Sequence, residues 1–289
     1  MSVGTFMKES FSFVIYFLFR LTHKLPQVSS IYFHDPSPEL FESILKWYRK
    51  HHYRFISLQE LEQILESKRK PKDRLTFISF DDGKRGNLNL LPICEKYNVP
   101  ITVFVATEPL ESGNYWWEYV SIKMGWNKML EFKKMPETEF YQELARAKEG
   151  VKIERTSMTI DELRQFAKHP LVTIQSHTEN HPVLTNLTDE TLYKELKESK
   201  RQLEELTGET IDVFSYPNGD VGQREIEALK ATGYKYAFTT QALDFDVENL
   251  NPYLLPRMAM NTDGGKYENL AKLTAVWYKI QNRLNRSKN

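Results

Sequence analysis

A chain of 289 residues with 39 basic and 39 acidic side chains has no net charge with which to gather a polyanion, so nucleic acid is excluded as its main partner. Hydrophobic content of 40% and charged content of 27% suit a globular protein with a sizeable core, in one large α/β domain or two small ones. The single Cys94 excludes an internal disulfide; within the helix-like Leu91-Pro-Ile-Cys-Glu-Lys-Tyr97 it reads as a buried small hydrophobe.

In chain order, the first segment, 1–28, is dominated by the apolar run Phe11–Phe19, with Arg20, His23 and Lys24 directly after it. The run is far shorter than the roughly 20 apolar residues that cross a bilayer. It lacks a small-x-small cleavage site before Pro26, so a removed export signal is not expected. Two readings stay open: a helix packed on the domain, or an aromatic interfacial helix over residues 6–24 with Lys8, Arg20 and Lys24 at lipid headgroups. The chain is accordingly expected to be cytoplasmic or peripherally membrane-associated.

From residue 29 to about 262 strands and helices alternate. Ser30-Ile-Tyr-Phe33 ends at His34-Asp35, and Ser37-Pro38 supplies an N-cap and first-turn proline for a helix to Lys50. Ser57-Leu-Gln-Glu60 has capping-box spacing ahead of a second helix. The strand Leu75–Phe80 leads into Asp81-Asp82-Gly83 and a helical stretch to Tyr97, and Ile101–Val105 is apolar enough for a strand buried on both faces. Residues 107–158 interrupt the rhythm as an insertion. Its Tyr115-Trp116-Trp117 triplet offers either a sugar-stacking face or, as we read it, core packing. A second capping box, Thr159–Glu162, opens a helix before the strand Leu171–Gln175. A leucine stripe at 192, 196, 203 and 206 then stops at Gly208. Asp212–Tyr216, a helix over 224–232, Tyr234–Thr239 and the extended Tyr253–Met258 complete the alternation, which favours a parallel sheet or barrel. A helical segment and basic tail occupy 263–289.

Two strings lie at the carboxyl ends of such strands, where α/β folds converge their functional groups: Ser79-Phe-Asp-Asp-Gly83 and Ser176-His-Thr-Glu-Asn-His181. One carboxylate and two imidazoles brought together there could hold a zinc-like ion and leave a position for water. The adjacent second carboxylate would then be free to move protons. Each string alone also has a bland reading, as a helix-capping turn or as surface histidines.

Together with Phe214-Ser-Tyr-Pro-Asn-Gly219, in this order, the strings resemble the polysaccharide deacetylases, the NodB homology domain of carbohydrate esterase family 4. The resemblance implies a distorted (β/α) barrel with an insertion around 107–158. It also implies a divalent metal, zinc first and cobalt, nickel or manganese as alternatives, in a groove that removes N-acetyl groups from sugars. Carried over residue by residue, Asp82, His177 and His181 become metal ligands, Asp81 the catalytic base, and Asn218 the backbone donor to the oxyanion. A C-terminal Leu-x-His acid is missing, since His181 is the last histidine. His34, at an N-terminal strand end, resembles the acid of the poly-N-acetylglucosamine deacetylase branch, with Asp35 to orient its ring. Ser215 stands where many members carry the arginine that braces the base, and Arg257 could supply that guanidinium from another strand.

The implied substrate is an N-acetylated oligosaccharide, polysaccharide or glycolipid. An O-acetyl esterase, a deformylase and a non-catalytic glycan-binding module remain as alternatives. His23, His51, His52 and His169 stand outside every motif and are assigned no chemistry.

Overall fold

The computed structural model describes residues 9–10, 12–14, 16–17 and 25–274. Phe11, Ile15, Leu18 and Phe19 of the apolar run, its basic flank, His23 and the tail beyond Thr274 lie outside the described residues. The chain divides into two compact units: residues 1–80, 86–102 and 240–289, and residues 81–85 with 103–239.

The first unit holds β1 (Val28–Phe33), α1 (Pro38–Lys50), β2 (Tyr53–Ile56), α2 (Leu58–Ser67), β3 (Arg74–Phe80), α3 (Leu91–Tyr97), β8 (Met258–Ala259) and α11 (Lys266–Lys272). Its strands pair in parallel in the order β2–β3–β1–β8, with Ile31 opposite both Ile78 and Met258. All six residues of β1 are buried, as suits a parallel strand covered on both faces, and of its two serines Ser29 shares a hydrogen bond of 2.7 Å with Tyr48 Oη. Each large apolar side chain so buried contributes roughly 1.5–3 kcal/mol. Helix α1 starts as expected, with Ser37 Oγ accepting from Leu40 N at 3.2 Å. The capping box at Ser57 is only half formed. Ser57 Oγ accepts from Glu60 N, but the Glu60 carboxylate turns to Arg54 at 2.6 and 2.8 Å, since a guanidinium offers it two charge-assisted bonds. The stretch expected to be helical after Gly83 is a 3₁₀ helix over Arg85–Leu90 that leads into α3. Pro92 at the start of α3 suits a helix that begins there. The extended segment at 253–258 yields only the two-residue β8.

Cys94 is fully buried, and burial pushes its thiol up to about 12, which makes it the inert packing residue expected. The helical residues among 9–17 dock on this unit. Glu9 accepts from the backbone N–H groups of Tyr267 and Glu268 at the start of α11, and the Phe13 ring meets Tyr267 edge-on at 4.7 Å. Phe13, Val14 and Phe17 nevertheless expose 43–50% of their surface.

The second unit holds α4 (Glu108–Ser112), α5 (Trp116–Met124), α6 (Trp126–Phe132), α7 (Glu137–Lys148), α8 (Ile160–Ala167), β5 (Val172–Ser176), α9 (Asp189–Thr207), β6 (Val213–Ser215), α10 (Gln223–Ala231) and β7 (Tyr236–Phe238). The remaining strand, β4 (Ile101–Val105), begins in the first unit, ends in the second, and is buried throughout. Its neighbours run in the order β4–β5–β6–β7. The 107–158 insertion is four helices, α4 to α7, and builds its own small core from Trp116, Val120, Met129, Phe132, Phe140 and Leu144. The Thr159–Glu162 capping box forms in both directions, at 2.9 and 3.1 Å. Helix α9 ends at Gly208 with φ +74°, a left-handed stop.

Candidate metal centre and its surroundings

Five of the sequence-derived candidates share the second unit: Asp81, Asp82, His177, His181 and Asn218. Where β3 ends, Asp82 and Gly83 take left-handed conformations in succession, φ +76° and +84°. A β-carbon on Gly83 would also lie 3.0 Å from Val105 Cγ1, so glycine is required there twice over. At the end of β5, His177 N–H donates to Val105 O at 3.0 Å. Thr178 (φ +73°) then folds the chain back, and its Oγ1 accepts the N–H of His181, itself at φ +55°. Of seven described non-glycine residues with positive φ, four belong to this region: Asp82, Thr178, His181 and Asn218. Such conformations cost about 1–3 kcal/mol each and persist only where surrounding contacts over-determine them.

The result is a buried triad. Asp82 Oδ1 stands 3.6 Å from His177 Nε2 and 3.4 Å from His181 Nε2. All three ligand atoms fall within 4.8 Å of one another. Donors at about 2.05 Å around a tetrahedral ion are separated by about 3.3 Å, so the triad is already near the spacing that one zinc-class ion requires. His177 Nδ1 lies 2.7 Å from Ser215 O; as the donor in that bond it leaves the Nε2 lone pair for a ligand. Burial pushes the His177 pKa down to about 4, against the pull of Asp81, so the ring is neutral and able to ligate at pH 7. His181 Nδ1 is buried with no hydrogen-bond partner. One carboxylate and two imidazoles, one of them held neutral and in a fixed tautomer, fit a divalent metal of this class.

Asp81, 2% exposed, accepts from Ser215 Oγ at 3.3 Å. Ser215, which stands where many members of the resembled family carry an arginine, therefore touches Asp81 directly. Asn218 follows β6 in a left-handed turn with Gly219. Its side chain, assigned no task from the sequence, accepts from Lys133 Nζ at 2.6 Å. Lys133 comes from the insertion; burial lowers its pKa, opposed by the charges of Asp220 and Asp82.

The other two candidates sit in the first unit. His34 is exposed at the end of β1, its carbonyl held by Asn87 Nδ2 at 2.7 Å and its ring edge-on to Tyr32 at 5.6 Å. Asp35 lies against Gly86, where a β-carbon would come within 1.9 Å of its Oδ1. Arg257 is buried, not a surface arginine: its guanidinium donates to Ser79 Oγ at 2.9 Å and stacks 4.3 Å from the Tyr32 ring centre.

Sequence reasoning missed Glu195, which holds the loop between the two histidines. Its Oε2 accepts from the N–H groups of Glu179 and Asn180, both at 2.9 Å, and its Oε1 from Asn180 Nδ2 at 2.8 Å. The signal was present: Glu195 lies on the buried stripe of α9 with Leu192, Leu196, Ser199 and Leu203, where a carboxylate has no business without partners. Burial raises its pKa to about 7, against the lowering effect of the Asn180 bonds. The folded protein thus holds a proton there that the unfolded chain, near 4.5, has released. The Glu195 contribution to the stability of the metal-free protein therefore falls as pH rises from about 4.5 to 7, by up to about 3 kcal/mol, while His177, held neutral by burial, contributes in the opposite sense between about 4 and 6.5. Glu195→Gln should remove the falling contribution, so that stability rises more with pH than in wild type across this range in urea unfolding; an unchanged pH profile rules the assignment out.

With this geometry in place, comparisons with known proteins become informative. A family model for polysaccharide deacetylases matches residues 68–237, more than half of the chain. Alignment with YxkH of Bacillus subtilis gives 22% identity over 202 residues, covering 70% of this chain and 57% of that protein, so the chain spans little more than half of that relative. A poly-β-1,6-N-acetyl-D-glucosamine N-deacetylase of Staphylococcus aureus is 25% identical over 253 residues, 84% of this chain and 76% of the other. Among solved structures, IcaB from Ammonifex degensii superposes with a TM-score of 0.64 at 19% identity, over 88% of this chain and 99% of that one. The Streptococcus pyogenes deacetylase PplD, solved with acetate, gives 0.63 at the same identity and coverage. The likeness shows the fold, a distorted (β/α) barrel of the NodB type. Three motifs in order, a preformed ligand triad and a family match over more than half of the chain lead to one statement: this chain belongs to the polysaccharide deacetylase family.

Proposed function

We propose that the chain is a metal-dependent N-deacetylase acting on a glycan of N-acetylated amino sugars. The observation that carries this reading is the buried Asp82–His177–His181 triad with a second buried carboxylate, Asp81, directly beside it in sequence. Asp82, His177 and His181 would hold the ion, zinc by their donor set. When bound, such an ion supplies a water whose pKa is lowered to about 7 and a Lewis acid for the amide oxygen. Asp81 takes the water's proton, steadied by the Ser215 hydroxyl. The Asn218 backbone N–H supports the oxyanion, a role given by its motif position. On motif order alone, His34 returns a proton to the leaving amine and Arg257 braces the base.

The name of the Staphylococcus aureus relative favours a polymer of N-acetylglucosamine as the substrate class. Full-length protein incubated with β-1,6-linked N-acetylglucosamine oligomers is expected to release acetate, to stop on chelation, and to resume on adding Zn²⁺. Acetate from O-acetylated sugars alone, or formate from N-formyl sugars alone, would move the reading to an esterase or deformylase. Oligomer binding without release would make it a glycan-binding module.

The exposed Phe13, Val14 and Phe17 support a second part of the proposal, peripheral contact with a lipid surface. Full-length protein should float with anionic liposomes, and a chain starting at Val28 should not; equal flotation removes this part.

A further inference from the structure

The Tyr115-Trp116-Trp117 triplet is packed, as its sequence suggested, with Tyr115 and Trp116 1% and 4% exposed. Packing alone does not account for where its polar atoms go. Tyr115 Oη donates to the backbone carbonyl of Asp82 at 3.1 Å. Trp116 Nε1 donates to the backbone carbonyl of His181 at 2.8 Å. The Trp117 ring stands edge-on to the His181 imidazole with centres 4.6 Å apart. Two adjacent residues at the start of α5 therefore grip two residues of the ligand triad that lie on separate loops.

We infer that Tyr115 and Trp116 are positioning residues for the metal, a clamp by which the insertion sets the separation of Asp82 and His181. The inference rests on the metal reading above and extends it to residues outside the motifs. Both gripped residues carry left-handed backbones, φ +76° and +55°. In such turns a small rotation of the peptide swings the side chain, so a bond to the carbonyl fixes where the ligand atom points. The clamp is itself anchored at both ends. The Glu118 carboxylate accepts the Tyr115 N–H at 3.0 Å and pairs with Lys84 Nζ at 2.8 Å, while that ammonium lies 3.7 Å from the centre of the Tyr115 ring. Lys84 is two residues beyond Asp82, so the Asp82 turn and the tyrosine that holds it are tied together twice. Trp116 in turn packs on Phe132 and Phe140 in the core of the insertion. His177, the third ligand, is outside the clamp and is oriented by Ser215 O. Partners of this kind typically change metal affinity 10–100-fold.

The test uses Tyr115→Phe, which removes one hydroxyl, and Trp116→Phe, which removes the indole N–H. Leu144→Ala serves as a control that disturbs the same core without touching a ligand or the clamp's anchors. Zn²⁺ dissociation constants by competition, the absorption spectrum of bound Co²⁺, and the melting temperature of metal-free protein are read for each. Tyr115→Phe and Trp116→Phe should each weaken Zn²⁺ binding at least about 10-fold and alter the Co²⁺ spectrum, with melting no lower than in the control. Leu144→Ala should lower melting and leave affinity within twofold. Unchanged affinity in both clamp variants overturns the inference, as does an affinity loss that tracks melting across all three proteins. Wild-type protein that binds neither ion defeats the metal reading itself and the clamp with it, an outcome distinct from tight wild-type binding that the variants leave intact.

Discussion

Asp82→Asn is expected to abolish metal binding and acetate release while leaving the metal-free fold intact. Asparagine has nearly the same shape and tolerates the left-handed backbone that Asp82 adopts at φ +76°. What it lacks is the negative charge that compensates a dication among buried groups, since Asp82 is 3% exposed and is the only carboxylate of the triad. The signature is thermodynamic as well as catalytic. A ligand that binds only the folded state, present at 1,000 times its dissociation constant, stabilises that state by about 4 kcal/mol. For a chain of this size, that corresponds to a rise in melting temperature of roughly 7 °C. Wild-type protein should show such a rise with Zn²⁺ and Asp82→Asn should show none, starting from an equal or higher metal-free melting point. His177→Ala should lose the same response but also melt lower without metal, because it removes the Nδ1 hydrogen bond to Ser215 O and opens a cavity at a fully packed position. If Asp82→Asn still responds to Zn²⁺, the triad is not the metal site.

The triad was legible because its chemistry is written locally, in strings of five or six residues at the ends of apolar runs. β3, β4 and β5 could be recognised for the same reason: each is a short stretch rich in apolar and β-branched residues, and each ends near the expected residue. The supporting residues are another matter. Ser215 meets Asp81 across 134 positions, Lys133 meets Asn218 across 85, and Trp116 meets His181 across 65. No local pattern encodes such a pairing. Glu195 was half legible, as a charge on a stripe that the flanking leucines bury. The Tyr115 triplet was correctly placed in the core, but burial and function are not exclusive: both aromatic polar atoms needed acceptors, and the acceptors they found belong to the metal loops. Where local chemistry had a competitor, sequence rules overreached, as when Arg54 drew Glu60 away from its capping box.

Base and acid are expected to separate when two substrates are compared. Asp81→Asn keeps an acceptor for the Ser215 hydroxyl but cannot take a proton, so turnover should fall about 10²–10⁴-fold on N-acetyl oligomers and on an activated aryl acetate alike. Its Zn²⁺ affinity should stay within a few-fold of wild type, because Asp82, His177 and His181 are untouched. His34→Ala should lose comparable turnover on the oligomers, where an amine must be protonated to leave. On the aryl acetate it should lose little, because a phenolate departs without a proton. The division follows from the chemistry of the two leaving groups and does not depend on which sugar is the natural substrate. Equal losses on both substrates for His34→Ala would make it a structural residue of the β1 terminus, and full amide turnover would remove it from the mechanism. Asp81→Asn retaining wild-type turnover would transfer the base role to another group and leave the paired-aspartate motif as a turn that only shapes the Asp82 ligand.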